Sequence, residues 1–289
     1  MSEPTVLYDA PGPRAKIRDA ITSVVTAAVI IGVIGFVIVQ LNAKGQLSAA
    51  KWKPFTTSNL WVTYIWPGVQ GTLLAAGLSI VLAGILGILL GVGRLSTNSA
   101  IRWVSATVVE FFRAVPVLIM MIFSYSVYAL YDVFPSKQLA LAGVVTGLTL
   151  YNGAVIAEIV RAGVNALPRG QREAASSLGL RAGQTMRLVL LPQAITAMLP
   201  ALISQLVVVL KDTAIGYQIS YLEMVRQGTT IGAQYSNYIP ALAVIAVLMI
   251  AVNVGLSWLA VRVERRLNRR SRTAAAAEEV TQKMDTAGA

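Results

Sequence analysis

Six apolar runs constrain this chain more than any other feature of its sequence. They lie at 20–41, 69–93, 104–131, 139–160, 193–210 and 238–261. A helix needs about 20 residues to cross a hydrocarbon core. Lipid offers no partner to a bare backbone amide, so runs of this length cross as helices that bond internally. The expectation is an all-α integral membrane protein with six transmembrane helices. Composition agrees, with 56% hydrophobic and 13% charged residues, where a soluble domain carries about a quarter charged.

The first run follows a polar stretch, 1–19, with Pro4, Pro11, Pro13, Arg14, Lys16 and Arg18. That stretch reads as a mobile cytoplasmic tail. A basic start before an apolar run also suits a signal peptide, but this run is long and no A-x-A-like site follows it, so 20–41 is read as an uncleaved first span. Segment 42–68 is external and rich in Trp52, Trp61 and Trp66, which suit the membrane interface. An interfacial helix near 58–66 and an ordinary loop are both open. In the second run Gly77, Gly84 and Gly91 recur every seven residues, a face for close helix packing. The third run contains Pro116 and is expected to be tilted or kinked there. The core spans 69–262, and 263–289 is a basic, then disordered, cytoplasmic tail.

Charge sets the orientation. With both termini in the cytoplasm, that side carries all the Lys and Arg except Lys44, Lys51, Lys53, Lys137, Lys211, Arg226 and the in-span Arg113. The positive-inside tendency then places loop 161–192 in the cytoplasm, with Arg161, Arg169, Arg172, Arg181 and Arg187. The same distribution argues against nucleic acid as the reason for a net charge of +11. The chain has neither cysteine nor histidine, which removes the commonest nucleophile, general base and soft-metal ligands. No catalytic residue and no metal site is expected.

Loop 161–192 is ordered by its own residues. Pro168-Arg169-Gly170 marks a turn, Gln171 to Leu178 holds good helix formers, and Gly179 stands where a C-cap needs a left-handed residue. Pro192 suits the first turn of the next helix. A short helix between two spans is placed for contact with a cytoplasmic partner.

Glu173-Ala174-Ala175, Gly179 and Val189-x-Leu191-Pro192 stand at the spacing of the EAA loop and resemble it, with Val189 for isoleucine the one departure. Phe112-Arg113-Ala114-Val115-Pro116, Ala157-Glu158-Ile159-Val160-Arg161 and Leu191-Pro192-Gln193-Ala194 are similar to flanking elements of the same family. On these motifs, from about 68 to 266, the chain resembles ABC-importer permeases of the polar amino-acid (HisMQ-type) family. Residues 6–13 and the extra first span look most like glutamate-uptake permeases of high-GC Gram-positive bacteria. The resemblance implies a type I importer core of five spans plus one N-terminal span. It implies a permease subunit that translocates a polar amino acid, here glutamate. The partners implied are two ATPase subunits, a second and different permease chain, and an external substrate-binding lipoprotein in the bacterial cell membrane. ATP and Mg belong to the ATPases, since no G-x-x-x-x-G-K-S/T loop occurs here, and this chain binds no cofactor. Glu173, Ala174, Ala175, Leu178 and Gly179 would couple it to the ATPases.

Glu110, Arg113 and Glu158 fall inside spans, where each ionised group costs on the order of 3 kcal/mol and must face protein or water. Glu110 and Arg113 are three apart and able to pair, and Glu158 can reach Arg113. Arg113 is either a member of a structural ion pair or a ligand for a substrate carboxylate. Asn152, Ser204, Gln205 and Tyr125 are further candidates for the substrate path. Lys211-Asp212-Thr213 resembles an external gate, and a snorkelling lysine beside a helix-ending aspartate is the other reading. Two other functions fit the sequence less well. A secondary amino-acid transporter would act without an ATPase, but no repeated pair of interrupted spans points to one. An intramembrane protease would need two facing aspartates, and Asp132 and Asp212 lie at span ends.

Overall fold

The computed structural model describes residues 12–287, and side chains as far as 262. It is helical, with no strand among the described residues. The chain divides after Thr56 into two parts. The first holds α1 (Pro13–Ala43) and α2 (Ala49–Trp52). Pro13 opens α1, where its missing N–H costs nothing. Helix therefore replaces the tail expected over 13–19, and residues 1–11 lie outside the described ones.

The second part holds α3 (Ser58–Arg94), α4 (Ser99–Ala114), α5 (Val117–Leu130), α6 (Leu139–Ala166), α7 (Arg169–Ser177), α8 (Ala182–Ile219), α9 (Met224–Gln234) and α10 (Tyr238–Ala287). Among the described residues five helices are long and apolar enough to cross a membrane: α1, α3, α6, α8 and Tyr238–Arg262 of α10. The sixth expected span is broken, since α4 and α5 meet at 101°. Pro116 lacks an N–H and drives Val115 to extended backbone (φ −84°, ψ 128°), so the helix ends rather than kinks.

Two further boundaries differ from the sequence reading. Residues 58–66 are the first turns of α3, not a separate interfacial helix or a loop. Pro192 stands where expected, in the first turn of the α-helical part of α8, Leu191–Asp212. Helix continues on the N-terminal side of both Pro67 and Pro192 because a wide π turn, Trp61–Ile65 or Thr185–Leu190, comes just before each. A wide turn has already broken the regular bonding ladder, so the proline costs less there. Second, α10 runs on to Ala287 where a disordered tail was expected. Ala274 to Ala277, Glu278 and Glu279 are all strong helix formers.

Helix α6 is the centre of the second part, with α3, α4, α5 and α8 packed against it. The face that α3 buries runs along Thr72, Ala75, Ala76, Ser79, Ala83, Gly87 and Gly91, and Ala83, Gly87 and Gly91 meet α6. A Cβ at Gly87 would stand 2.5 Å from Ile156, and one at Gly91 2.8 Å from Val160. These residues step by three and four, which follows one face of a 3.6-residue helix. The seven-residue series Gly77, Gly84, Gly91 is not the packing face, because nothing lies within 4 Å of a Cβ at Gly77 or Gly84. Outward, Leu74, Val81, Ile85 and Leu89 of α3 are exposed, the surface a lipid-facing helix presents.

Candidate functional site

Between α6 and α8 the chain makes a compact, capped loop. Helix α7 begins after Pro168, whose extended backbone (ψ 134°) starts the turn, and no side chain caps it. Its other end is closed by two backbone bonds. Leu180 N–H donates to the Ala175 carbonyl at 3.2 Å, and Gly179 N–H donates to Ser176 at 2.9 Å. With Gly179 at φ +74°, this is a Schellman cap, and the left-handed glycine is where the sequence places it. Gln193 of α8 donates to the Gln171 side chain at 3.1 Å and ties α7 to the next helix.

The faces of α7 are unequal. Ala175 is 3% exposed and packs inward, whereas Leu178 is 81% exposed and Ala174 is exposed beside it. A partner would therefore meet Ala174 and Leu178, one turn apart. Ala175 is part of this chain's own packing, so it is not available for docking as the sequence reading held. Glu173 does not bond to the helix start. It lines, with Asn165, Arg169 and Arg172, a pocket of about 360 Å³.

A second constellation joins α3, α4 and α6. Glu158 accepts from Arg94 at 2.6 Å and from Arg161 at 2.5 Å, and Arg113 stands 3.6 Å away. Arg94 also reaches Glu110 at 3.6 Å. The direct Glu110–Arg113 pair expected from their spacing is replaced by this arrangement, because Arg94, only 12% exposed, lies between the two acids. In the sequence Arg94 reads only as a charge that bounds a short cytoplasmic turn with Arg102, and the one clue to its pairing is an intraspan Glu158 in need of a partner. Arg113 is the loosest member, 45% exposed. Arg113→Ala should thus leave both Glu158 oxygens paired and change stability by no more than about 0.5 kcal/mol. A fall of more than about 5 °C in the melting temperature in detergent would restore Arg113 as a structural pair member.

Of the path candidates, Asn152 and Gln205 are brought together. Gln205 donates to Asn152 Oδ1 at 2.6 Å, and Asn152 donates to the Leu148 carbonyl at 2.9 Å, fully buried. Ser204 is turned back on its own helix, donating to Pro200 at 3.0 Å, and Tyr125 packs on the apolar cluster around Met121 and Val144.

At the opposite end from the arginine cluster, the α-helical part of α8 ends at Asp212, the helix-ending aspartate of the sequence reading, and Thr213–Ile219 continue as a 3₁₀ turn. Thr213 is buried and donates to Leu210 at 2.7 Å, while Lys211 is exposed. The following strap, 220–223, lies on α3. Tyr221 donates to the Gly71 carbonyl at 2.8 Å, and Met224 N–H donates to Thr72 at 3.2 Å. Glu223 caps α9 by accepting from Val225 and Arg226 N–H at 2.7 and 2.6 Å. No local pattern in the sequence marks this glutamate as buried. Burial pushes its carboxyl up from 4.5 to about 7, against the pull of the two amides. A carboxyl raised in the fold binds more protons there than in the unfolded chain, so its contribution is fullest below pH 4.5 and is lost as pH rises toward 7. Melting of wild type minus Glu223→Gln, followed from pH 4.5 to 8, should show that loss; equal slopes would contradict it.

A family model described as "binding-protein-dependent transport system inner membrane component" matches residues 83–269. The chain belongs to this family. It is a multi-pass membrane protein and an ABC-transporter permease, and its relatives agree. It is 54% identical to the glutamate transport system permease protein GluD of Corynebacterium glutamicum, over 79% of this chain and 84% of that one. It is 31% identical to the probable glutamine ABC transporter permease protein GlnP of Bacillus subtilis, over 71% and 94%. Among solved structures, an amino acid ABC transporter with histidines matches with a TM-score of 0.63 and 30% identity, covering 76% of this permease and 97% of that chain. Inward-facing MetNI, a methionine ABC transporter, matches at 0.57 and 22% identity, which speaks for the fold alone.

Proposed function

We propose that this permease carries glutamate inward as one subunit of an ATP-driven importer. The observation that carries the reading is the 54% identity to a glutamate permease along most of both chains. An external binding lipoprotein delivers the substrate, two ATPase subunits hold ATP and Mg, and a second, different permease chain completes the path. This chain binds no cofactor and hydrolyses nothing. Helix α7 suits the role of coupling element, being short, capped at Gly179 and exposed at Ala174 and Leu178. The arginines of 161–192 support a cytoplasmic position for it, with both termini on the same side. A cysteine at Ser176 should then label only from the cytoplasm, and one at Ser48 only from outside; labelling of both from one face would sink this topology.

The substrate is tested by uptake of labelled glutamate, glutamine and arginine into vesicles holding the reconstituted complex. Glutamate should exceed the others at equal concentration, and preferential arginine uptake would overturn the assignment. Asn152, Gln205 and Arg113 remain the residues proposed to line the path.

A further inference from the structure

The last span, Tyr238–Arg262 of α10, packs one side on α8 and α9. Ala241, Ile245 and Ala260 are buried, whereas Val247, Val254 and Trp258 are exposed. A helix turns about 100° per residue, which sets the three exposed residues within about 40° of one another, away from Ala260. The backbone of α10 stays helical beyond the span. On the same count Arg262, Arg265, Arg269 and Arg272 all fall within about 40° of Trp258. Arg266 and Arg270 fall off this line, at about 80° and 120°. Glu264, the one acid among residues 262–272, lies about 120° to the other side.

One face of the helix is thus apolar as far as Trp258 and cationic from Arg262 on. The positive-inside bias asks for arginines on one side of the membrane, not on one side of a helix. Where the two zones join, the Arg262 guanidinium lies over the Trp258 ring, 4.9 Å from its centroid. Tryptophan is the residue of the membrane interface. A guanidinium stacked by its face keeps its in-plane N–H groups for an acceptor, and a phosphate takes them in pairs. Arg262 stands about 6 Å past Trp258 along the axis, so the row of arginines begins within a headgroup layer about 5–8 Å deep. Such a face fits a ligand with a hydrocarbon tail and an anionic head, which neither a nucleotide nor an acidic loop is.

We infer that this face holds an anionic phospholipid, its acyl chain along Val247, Val254 and Trp258 and its phosphate at Arg262 and the arginines that follow on the same line. Its place in the cytoplasmic leaflet rests on the topology proposed above, which cysteine labelling at Ser176 and Ser48 tests by itself.

The measurement is binding of phosphatidylglycerol, against phosphatidylcholine, to the full chain purified in detergent with its partner subunits and stripped of native lipid, followed by native mass spectrometry. The wild type should hold phosphatidylglycerol about tenfold or more tighter. Arg262→Gln/Arg269→Gln should weaken that binding by about tenfold or more, at roughly fivefold for each arginine beside an anionic surface. Arg266→Gln/Arg270→Gln, with the same change in charge, should weaken it by less than about threefold, because charges off the line act through screening water. Equal loss in the two pairs would overturn the site and leave charge alone as the cause. A wild type indifferent between the two lipids would overturn it too. If Arg262→Gln/Arg269→Gln keeps its phosphatidylglycerol and sheds the ATPase subunits, the face docks protein and the inference fails. Binding is read without transport, so a failure here is distinct from a failure of glutamate uptake.

Discussion

Gly179→Val should abolish transport while leaving the protein in the membrane at normal yield. Gly179 has φ +74°, and its N–H closes one of the two bonds that end α7. A β-branched residue in that conformation places its Cβ against the backbone, at a cost on the order of 1–2 kcal/mol. Space is not the difficulty, since a Cβ there meets nothing within 4 Å; the backbone angle is. The strain falls on a nine-residue helix with one buried residue, which has little packing with which to resist it. The cap opens, the Leu180–Ala175 bond is lost, and Ala174 and Leu178 are no longer presented together. Insertion depends on hydropathy and flanking charge, both unchanged. ATP hydrolysis by the assembled complex should stop responding to substrate-loaded binding protein. Gly179→Asn, which tolerates left-handed backbone, should retain most activity.

Gly71→Ala should destabilise the fold itself. A Cβ at 71 would lie 2.0 Å from the Leu222 carbonyl oxygen, and the neighbour it meets is backbone, which cannot swing away. The strap 220–223 would have to lift off α3, taking the Tyr221–Gly71 bond and the Met224–Thr72 bond with it. Overpacking of this kind costs about 1–3 kcal/mol, and lost buried bonds add to it. Melting in detergent should show a drop of several degrees with α7 intact. Gly77→Ala is the control, since its Cβ would meet open space. Equal melting of the two variants would contradict the packing described for α3.

The spans and the capped loop 161–192 were legible because both rest on local signals. Apolar length marks a crossing helix, and Pro168 and Gly179 punctuate α7 without help from the rest of the fold. Breaks were harder to place. Pro67, Pro116 and Pro192 look alike in sequence, yet only Pro116 interrupts the helix, because wide turns relieve the other two. The heptad of glycines misled for a related reason: the buried face of α3 is a run of small residues at steps of three and four, in which alanine, serine and threonine serve as well as glycine. Long-range pairing was least visible. Arg94 and Glu158 are 64 positions apart, and nothing near Arg94 distinguishes it from the other arginines that end spans. Burial of Glu223 likewise depends on the strap folding over α3, which no local pattern announces.

ATP-driven glutamate accumulation tests the central claim most directly. The permease pair and ATPases are reconstituted in vesicles with ATP enclosed, binding protein and labelled glutamate outside, and no ion gradient. An importer of this kind accumulates glutamate against its gradient with hydrolysable ATP and none with a non-hydrolysable analogue. Accumulation driven by an imposed sodium or proton gradient, unaffected by removing the ATPases, would contradict it.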